Sequence, residues 1–159
     1  MGILQPSDII DIGIEKEKKR RDFYALAAGR FKDSADLASL FGRLRDWEEE
    51  HIEKFGKIRE SVKSAAYAES FPGEAEAYMQ ALVESELYDE MTPDRFAALV
   101  DSPGTALDLG IRFEKDAILF FSELSRFVNP KTKEVTAKLI REEQEHMVHL
   151  MKMKKEMGL

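Results

Sequence analysis

The pattern Glu-x-x-His occurs twice in this sequence, as Glu48 with His51 and as Glu143 with His146, and two further glutamates, Glu17 and Glu114, stand at comparable places in the two halves. Residues three apart share one face of a helix, so each pair presents a carboxylate and an imidazole side by side. Carboxylate oxygens mixed with imidazole nitrogen suit iron or manganese, whereas all-oxygen sites suit magnesium or calcium. Taken singly, each motif is weak. The run Glu48-Glu49-Glu50 alone reads as a solvated face, and an isolated inward histidine is usually a hydrogen-bonded core residue.

Position gives the motifs their weight. Glu17 falls seven residues after Ile10 and seven before Tyr24, with Phe31 seven further on, which is an inward heptad position. Glu48 and His51 sit within the stripe Leu44, Phe55 and Ile58; Glu114 lies between Leu107 or Ile111 and Phe121; Glu143 and His146 lie between Leu139 and Leu150, a row that Met153 and Met157 continue. Four uncompensated carboxylates in one core would cost more than a domain's stability of roughly 5–15 kcal/mol. The core therefore needs cations.

The elements that must position these residues follow from the punctuation. Ser7 is the expected N-cap of a helix over about 7–32, with Ile10, Ile14, Tyr24, Ala28 and Phe31 facing inward. Asp33-Ser34 separates it from a second helix over about 34–67 that carries Leu37, Phe41, Leu44, Phe55 and Ile58. Phe71-Pro72-Gly73 stops that run. A connection over about 70–102 follows, with one short amphipathic helix around Tyr78, Leu82 and Leu87 and a further turn of helix after Thr92-Pro93. Asp101-Ser102-Pro103-Gly104 opens a third long helix over about 103–128, and Asn129-Pro130 separates it from a fourth over about 131–157. Two short links and one long one predict an all-α fold, a four-helix bundle of two antiparallel hairpins joined by a long, partly helical crossover, within a single domain over 1–159.

Depth tests the grouping independently. Glu17 lies 16 residues before Asp33, and Glu48 and His51 lie 15 and 18 after it. At 1.5 Å per residue these are roughly 24 Å against 22–27 Å, so the groups meet at one level. Glu114 lies 15 residues before Asn129, with Glu143 and His146 14 and 17 after it, and again the levels agree. The hairpins repeat one another: Glu17 and Glu114 are 97 residues apart, His51 and His146 are 95 apart, and Glu17-Lys18 with Phe23-Tyr24 is echoed by Glu114-Lys115 with Phe120-Phe121. The expectation is one site of approximate two-fold symmetry, built from two lone glutamates and two Glu-x-x-His pairs.

Composition narrows the partners. Of 159 residues 35% are charged, 43% are hydrophobic and none is cysteine, so disulfides, thiolate nucleophiles and iron–sulfur clusters are excluded. The net charge of −7 and the lack of a basic stripe argue against nucleic acid or an anionic membrane as partner. The residues before Pro6 are too few and too polar for a signal peptide, and no apolar run is long enough to span a bilayer, so the expected location is the cytoplasm. Met1-Gly2 does not read as a myristoylation signal, because Pro6 stands where Ser or Thr is wanted.

The segments Glu17-Lys-Lys-Arg-Arg-Asp-Phe-Tyr24, Trp47-Glu-Glu-Glu-His51, Phe113-Glu-Lys-Asp-Ala-Ile-Leu-Phe-Phe121 and Glu142-Glu-Gln-Glu-His146 resemble the di-iron domain of the rubrerythrin branch of the ferritin-like proteins. The resemblance covers almost the whole chain. It implies that Glu48 and Glu143 bridge two iron ions, that Glu17 and His51 complete one position, and that Glu114 and His146 complete the other, with manganese or zinc as substitutes. The charge count agrees: four carboxylates neutralise two divalent ions. The implied activity is oxidation of Fe(II) by peroxide or dioxygen, as a peroxidase or ferroxidase in oxidative defence or iron handling.

Two departures bear on that activity. Rubrerythrins place a further glutamate one turn after the third-helix ligand, and here that position is Ala117. They also carry a cysteine-rich electron-delivery module, so a chain without cysteine implies an external electron donor. The fifth helix of ferritin cages is not expected either. By analogy with ferritin-like bundles, the expected assembly is a homodimer. The other readings are a non-catalytic iron-binding or storage module and a helical scaffold with a vestigial site.

Of the remaining residues, Tyr24 is expected either to hydrogen-bond to a ligand or to pack, its repeat partner being Phe121. Trp47 is expected in packing or an interface. Met147, Met151, Met153 and Met157 read as core and interface filling rather than ligands, and His149 as a surface residue.

Overall fold

The computed structural model describes residues 6–62, 77, 81, 90–126 and 128–159. Three of its helices open on the same device, a capping side chain followed by proline. Thr92 accepts from the Arg95 amide at 3.2 Å ahead of Pro93, Ser102 from that of Thr105 at 3.3 Å ahead of Pro103, and Asn129 from that of Thr132 at 2.9 Å ahead of Pro130. The cap satisfies an amide that the first turn leaves without a partner, and proline at the first helical position lacks the amide altogether. In the described residues the helices are α1 Pro6–Arg30, α2 Ala35–Val62, α3 Pro93–Leu99, α4 Pro103–Leu124 and α5 Pro130–Glu156.

The boundaries differ from expectation at several ends. Ser7 lies inside the first turn, not at the cap, because Pro6 already occupies a helical position. The helix expected to reach Val128 stops at Leu124, where the Ser125 amide turns back to Phe121 O and Glu123 O. The residues expected to carry α2 from 63 to 67 lie outside the described ones, as does most of the helix expected around Tyr78, Leu82 and Leu87. The helix expected after Thr92-Pro93 is α3. At the far end α5 closes in a Schellman turn, with Gly158 at φ 70° and the Leu159 and Gly158 amides bonded to Lys154 O and Lys155 O.

The helices are all-α architecture with no strand among the described residues. α1 packs mainly on α2, and α4 on α5. Pairs such as Asp11–Arg59 and Arg21–Glu49 in the first hairpin, and Asp108–Lys154 in the second, match early residues with late ones and show that each hairpin is antiparallel. Two apolar clusters occupy opposite ends of the bundle. One gathers Phe23, Tyr24, Phe31, Leu37, Phe41, Leu44, Ala106 and Phe113, with Phe96 and Val100 of α3 against it; the other gathers Ile9, Ile10, Phe55, Ile58, Phe120, Phe121, Leu124 and Leu139. α2 ends with the second cluster and α4 begins with the first, which is the topology of hairpins joined by a crossover rather than by a short turn. No helix among the described residues is long and apolar enough to cross a membrane.

Candidate metal centre

Between the two apolar clusters lies a polar layer. Glu17, Glu48, Glu114 and Glu143 are each fully buried, and His51 and His146 are 2% and 4% exposed. All six residues singled out by spacing meet here, because each helix brings its polar residue to the same depth. Gly13 and Gly110, one turn before Glu17 and Glu114, admit neighbours close to the helix backbone: a Cβ on Gly13 would stand 3.0 Å from Phe120 and 3.2 Å from Phe55, and one on Gly110 3.2 Å from Leu150.

The geometry has two sides. On one, His51 Nδ1 lies 3.1 Å from Glu143 Oε1, 3.6 Å from Glu17 Oε2 and 3.7 Å from Glu48 Oε2. On the other, His146 Nδ1 lies 2.8 Å from Glu143 Oε2 and 3.6 Å from both Glu48 Oε1 and Glu114 Oε2. Glu48 and Glu143 thus offer one oxygen to each side. The imidazole rings stack at 5.4 Å. Glu17, Glu48, His51 and Glu143 form one group of potential ligand atoms within 4.8 Å of each other, and Glu48, Glu114, Glu143 and His146 form another.

These close approaches are not hydrogen bonds. Glu17 Oε2, Glu48 Oε1, Glu114 Oε2, both Glu143 oxygens and both Nδ1 atoms are buried without a hydrogen-bond partner. Buried polar atoms are ordinarily satisfied, so a set of orphans converging in one layer fits cations that accept their lone pairs. The donor chemistry, carboxylate with imidazole, fits iron.

Charge behaves accordingly. Burial raises Glu17 well above the ordinary carboxylate range despite Arg20 beside it, and burial with the charges of Glu143 and Glu48 raises Glu114 to about 8. Burial pushes Glu48 and Glu143 upward too. Contacts from Glu17, Arg20 and the histidines hold Glu48 well below the usual range, and His51 and His146 hold Glu143 at about 2. Burial alone would lower the histidines, but the surrounding carboxylates raise His51 far above 6.5 and His146 to about 12. Burial thus pushes the outer glutamates toward their protonated form, while the contacts around Glu48 and Glu143 hold those two toward the anionic form.

Three supports surround the layer. Tyr24 donates its hydroxyl to Glu114 Oε1, so it bonds across the bundle and does not merely pack; burial and the charge of Glu114 keep that hydroxyl protonated. Trp47 stacks on His146 at 4.9 Å with the rings 6° apart. Glu142, which the spacing analysis did not single out, lies 2.9 Å from His51 Nε2 and also accepts from Lys54 at 2.9 Å. A proton on Nε2 shared with Glu142 leaves the Nδ1 lone pair facing inward. Glu142 stands beside Glu143 on the flank of the stripe, and its partner is 91 residues away, so no local signal marks it.

Arg20 follows Glu17 by three and precedes Tyr24 by four, on the same stripe, but it stands in a run of basic residues that reads as a solvated face. It is 1% exposed and donates to Glu17. His149, expected on the surface, is half-buried, because its ring packs 5.6 Å from Trp47. Among the methionines, Met147 and Met153 pack against the first apolar cluster, whereas Met151 and Met157 are exposed. Ala117 is fully buried in the second cluster.

No family model and no curated protein matches the chain. Among solved structures it is similar to a Thermotoga maritima protein described as a ferritin-like diiron-carboxylate protein, with a TM-score of 0.66, 25% identity and 98% of each chain covered. The fold of this chain is ferritin-like, and its buried Glu and His residues form groups that could hold metal ions.

Proposed function

We propose that the chain is a rubrerythrin-like di-iron carboxylate protein that binds two iron ions and oxidises Fe(II) with peroxide or dioxygen. The observation that carries this reading is the division of Glu48 and Glu143 between the two sides, one oxygen of each toward His51 and the other toward His146. Two carboxylates so placed would hold both ions. Glu17 with His51 would then complete one position, and Glu114 with His146 the other. Manganese or zinc would enter the same donors. The Thermotoga maritima protein of similar fold supports the diiron assignment.

The residues have distinct tasks in this reading. Glu142 fixes the orientation of His51, and Tyr24 that of Glu114. The apolar clusters on both sides exclude bulk water. The outer glutamates and the imidazoles surrender protons as cations enter, and such groups can return them to a reduced oxygen species. Iron held there would supply two electrons, which with two protons reduce one peroxide to two waters. Repeated turnover requires an external reductant, since the chain has no cysteine with which to hold an electron-transfer cluster.

The test is anaerobic loading of metal-free protein with Fe(II), then addition of peroxide or air while ferric absorption in the near ultraviolet is recorded. Rapid stoichiometric growth of that absorption supports the reading. Iron that binds but resists both oxidants would leave a storage or delivery module in its place.

A further inference from the structure

Arg20 is a buried cation that donates directly to carboxylates of the metal layer, and it is placed unevenly. Its guanidinium donates through Nη2 to Glu17 Oε1 and through Nε to Glu48 Oε2 at 3.5 Å, and Nη2 lies 3.9 Å from Glu143 Oε1. These three carboxylates, with His51, make up one of the two ligand groups. The residue at the repeat-related place, 97 positions later, is Ala117. At the other group, the contact to Glu114 Oε1 comes from the neutral hydroxyl of Tyr24.

Arginine does not deprotonate in proteins, so its charge remains when metals arrive. Glu48 Oε2, which Arg20 contacts, is also the oxygen that faces His51. A divalent ion at the His51 side must therefore share that oxygen with a fixed cation, or displace it, and is repelled by it at close range in a water-poor layer. The oxygen that faces His146, Glu48 Oε1, has no hydrogen-bond partner and no arginine beside it among the described residues, only His146 Nδ1 at 3.6 Å. The charge count points the same way. With Arg20 included, one divalent ion leaves the four carboxylates short of neutrality, and two take the layer one unit past it.

Accepting the two-metal reading above, we infer that Arg20 is an internal competitor that makes the two positions unequal: the Glu114–His146 position fills first and holds its ion more tightly, and the Glu17–His51 position fills second. Arg20 acts here as a positioning and selectivity residue.

Two measurements test this. Crystals of the full chain, loaded anaerobically with one equivalent of Fe(II), should show iron-edge anomalous density between Glu114 and His146. Density between Glu17 and His51, or divided equally, would overturn the inference and leave the two-metal reading intact. In solution, anaerobic Fe(II) calorimetry of the wild type should resolve two steps, and Arg20→Met should bring their dissociation constants about tenfold or more closer by tightening the second. Arg20→Lys, which keeps a cation, should retain the separation. An unchanged ratio in folded Arg20→Met would also overturn the inference; if that variant does not fold, the wild-type diffraction result decides. Absence of any bound iron would defeat the two-metal reading and this inference together.

Discussion

The two halves of the buried polar layer carry the same candidate ligands and different supports. Hairpin α1–α2 supplies Gly13, Glu17, Glu48 and His51; hairpin α4–α5 repeats them as Gly110, Glu114, Glu143 and His146. Around them the repeat fails: Arg20 answers to Ala117, Tyr24 to Phe121, and Trp47 to Glu142. The supports also cross over. Tyr24 of the first hairpin holds Glu114 of the second, Trp47 of the first stacks on His146 of the second, and Glu142 of the second holds His51 of the first. A symmetric ligand set thus sits in an asymmetric frame, and the hairpins are joined through the residues that orient each other's ligands.

The largest effect should come from the element common to both halves. Glu143→Ala removes an oxygen from each side at once, and inductively coupled plasma mass spectrometry should find almost no iron in the purified variant and two ions per chain in the wild type. Two tightly held ions in that variant would show that Glu143 does not bridge.

Removing a support should instead weaken one half. Glu142→Ala frees His51, and Tyr24→Phe frees Glu114; each should lower affinity at its own position by about 10–100-fold. Anomalous density at partial loading checks the sidedness, with occupancy lost beside His51 in the first variant and beside His146 in the second. Equal losses at both positions in either variant would mean that the supports act on the layer as a whole.

Protons should report on the layer next. Glu114 in the metal-free fold is raised to about 8 and His146 to about 12, so both hold protons at pH 7 that a bound cation must displace. Because the metal-free form binds more protons than the loaded form, affinity rises with pH, by about tenfold per unit for each proton released. Calorimetry in buffers of different ionisation enthalpy counts those protons. Affinity independent of pH between 6 and 8 would show that the layer is already deprotonated.

The smallest contrast concerns packing. Gly13 faces two aromatic rings at 3.0 and 3.2 Å, whereas the nearest contact of Gly110 is the flexible Leu150 at 3.2 Å. Gly13→Ala should cost about 1 kcal/mol, since overpacking outweighs the gain in helix propensity, and Gly110→Ala should be nearly neutral. Chemical denaturation of the two variants compares them directly.

How much of this was legible in the sequence depends on whether the signal was periodic. The six residues of the buried polar layer were, because polar residues interrupting apolar stripes at matched depth leave a pattern that helical geometry makes readable. Arg20 lay on the same stripe, but a basic residue in a run of Lys18, Lys19 and Arg21 reads as surface until its neighbours in space are known. Glu142 and His149 were harder: each gains its role from a residue on the other hairpin, His51 for one and Trp47 for the other, and such pairings depend on how the hairpins dock. Helix ends were read to within a few residues where a capping side chain precedes proline. The end of α4 was misjudged, because only backbone turns, and no proline or glycine, mark Ser125.

The most direct test of the shared centre is iron-edge anomalous diffraction from crystals loaded anaerobically with excess Fe(II). Two peaks are expected, roughly 3.5–4 Å apart, one beside His51 and one beside His146, with Glu48 and Glu143 each placing one oxygen toward each peak. A single peak, or two peaks that do not share these carboxylates, would contradict the account.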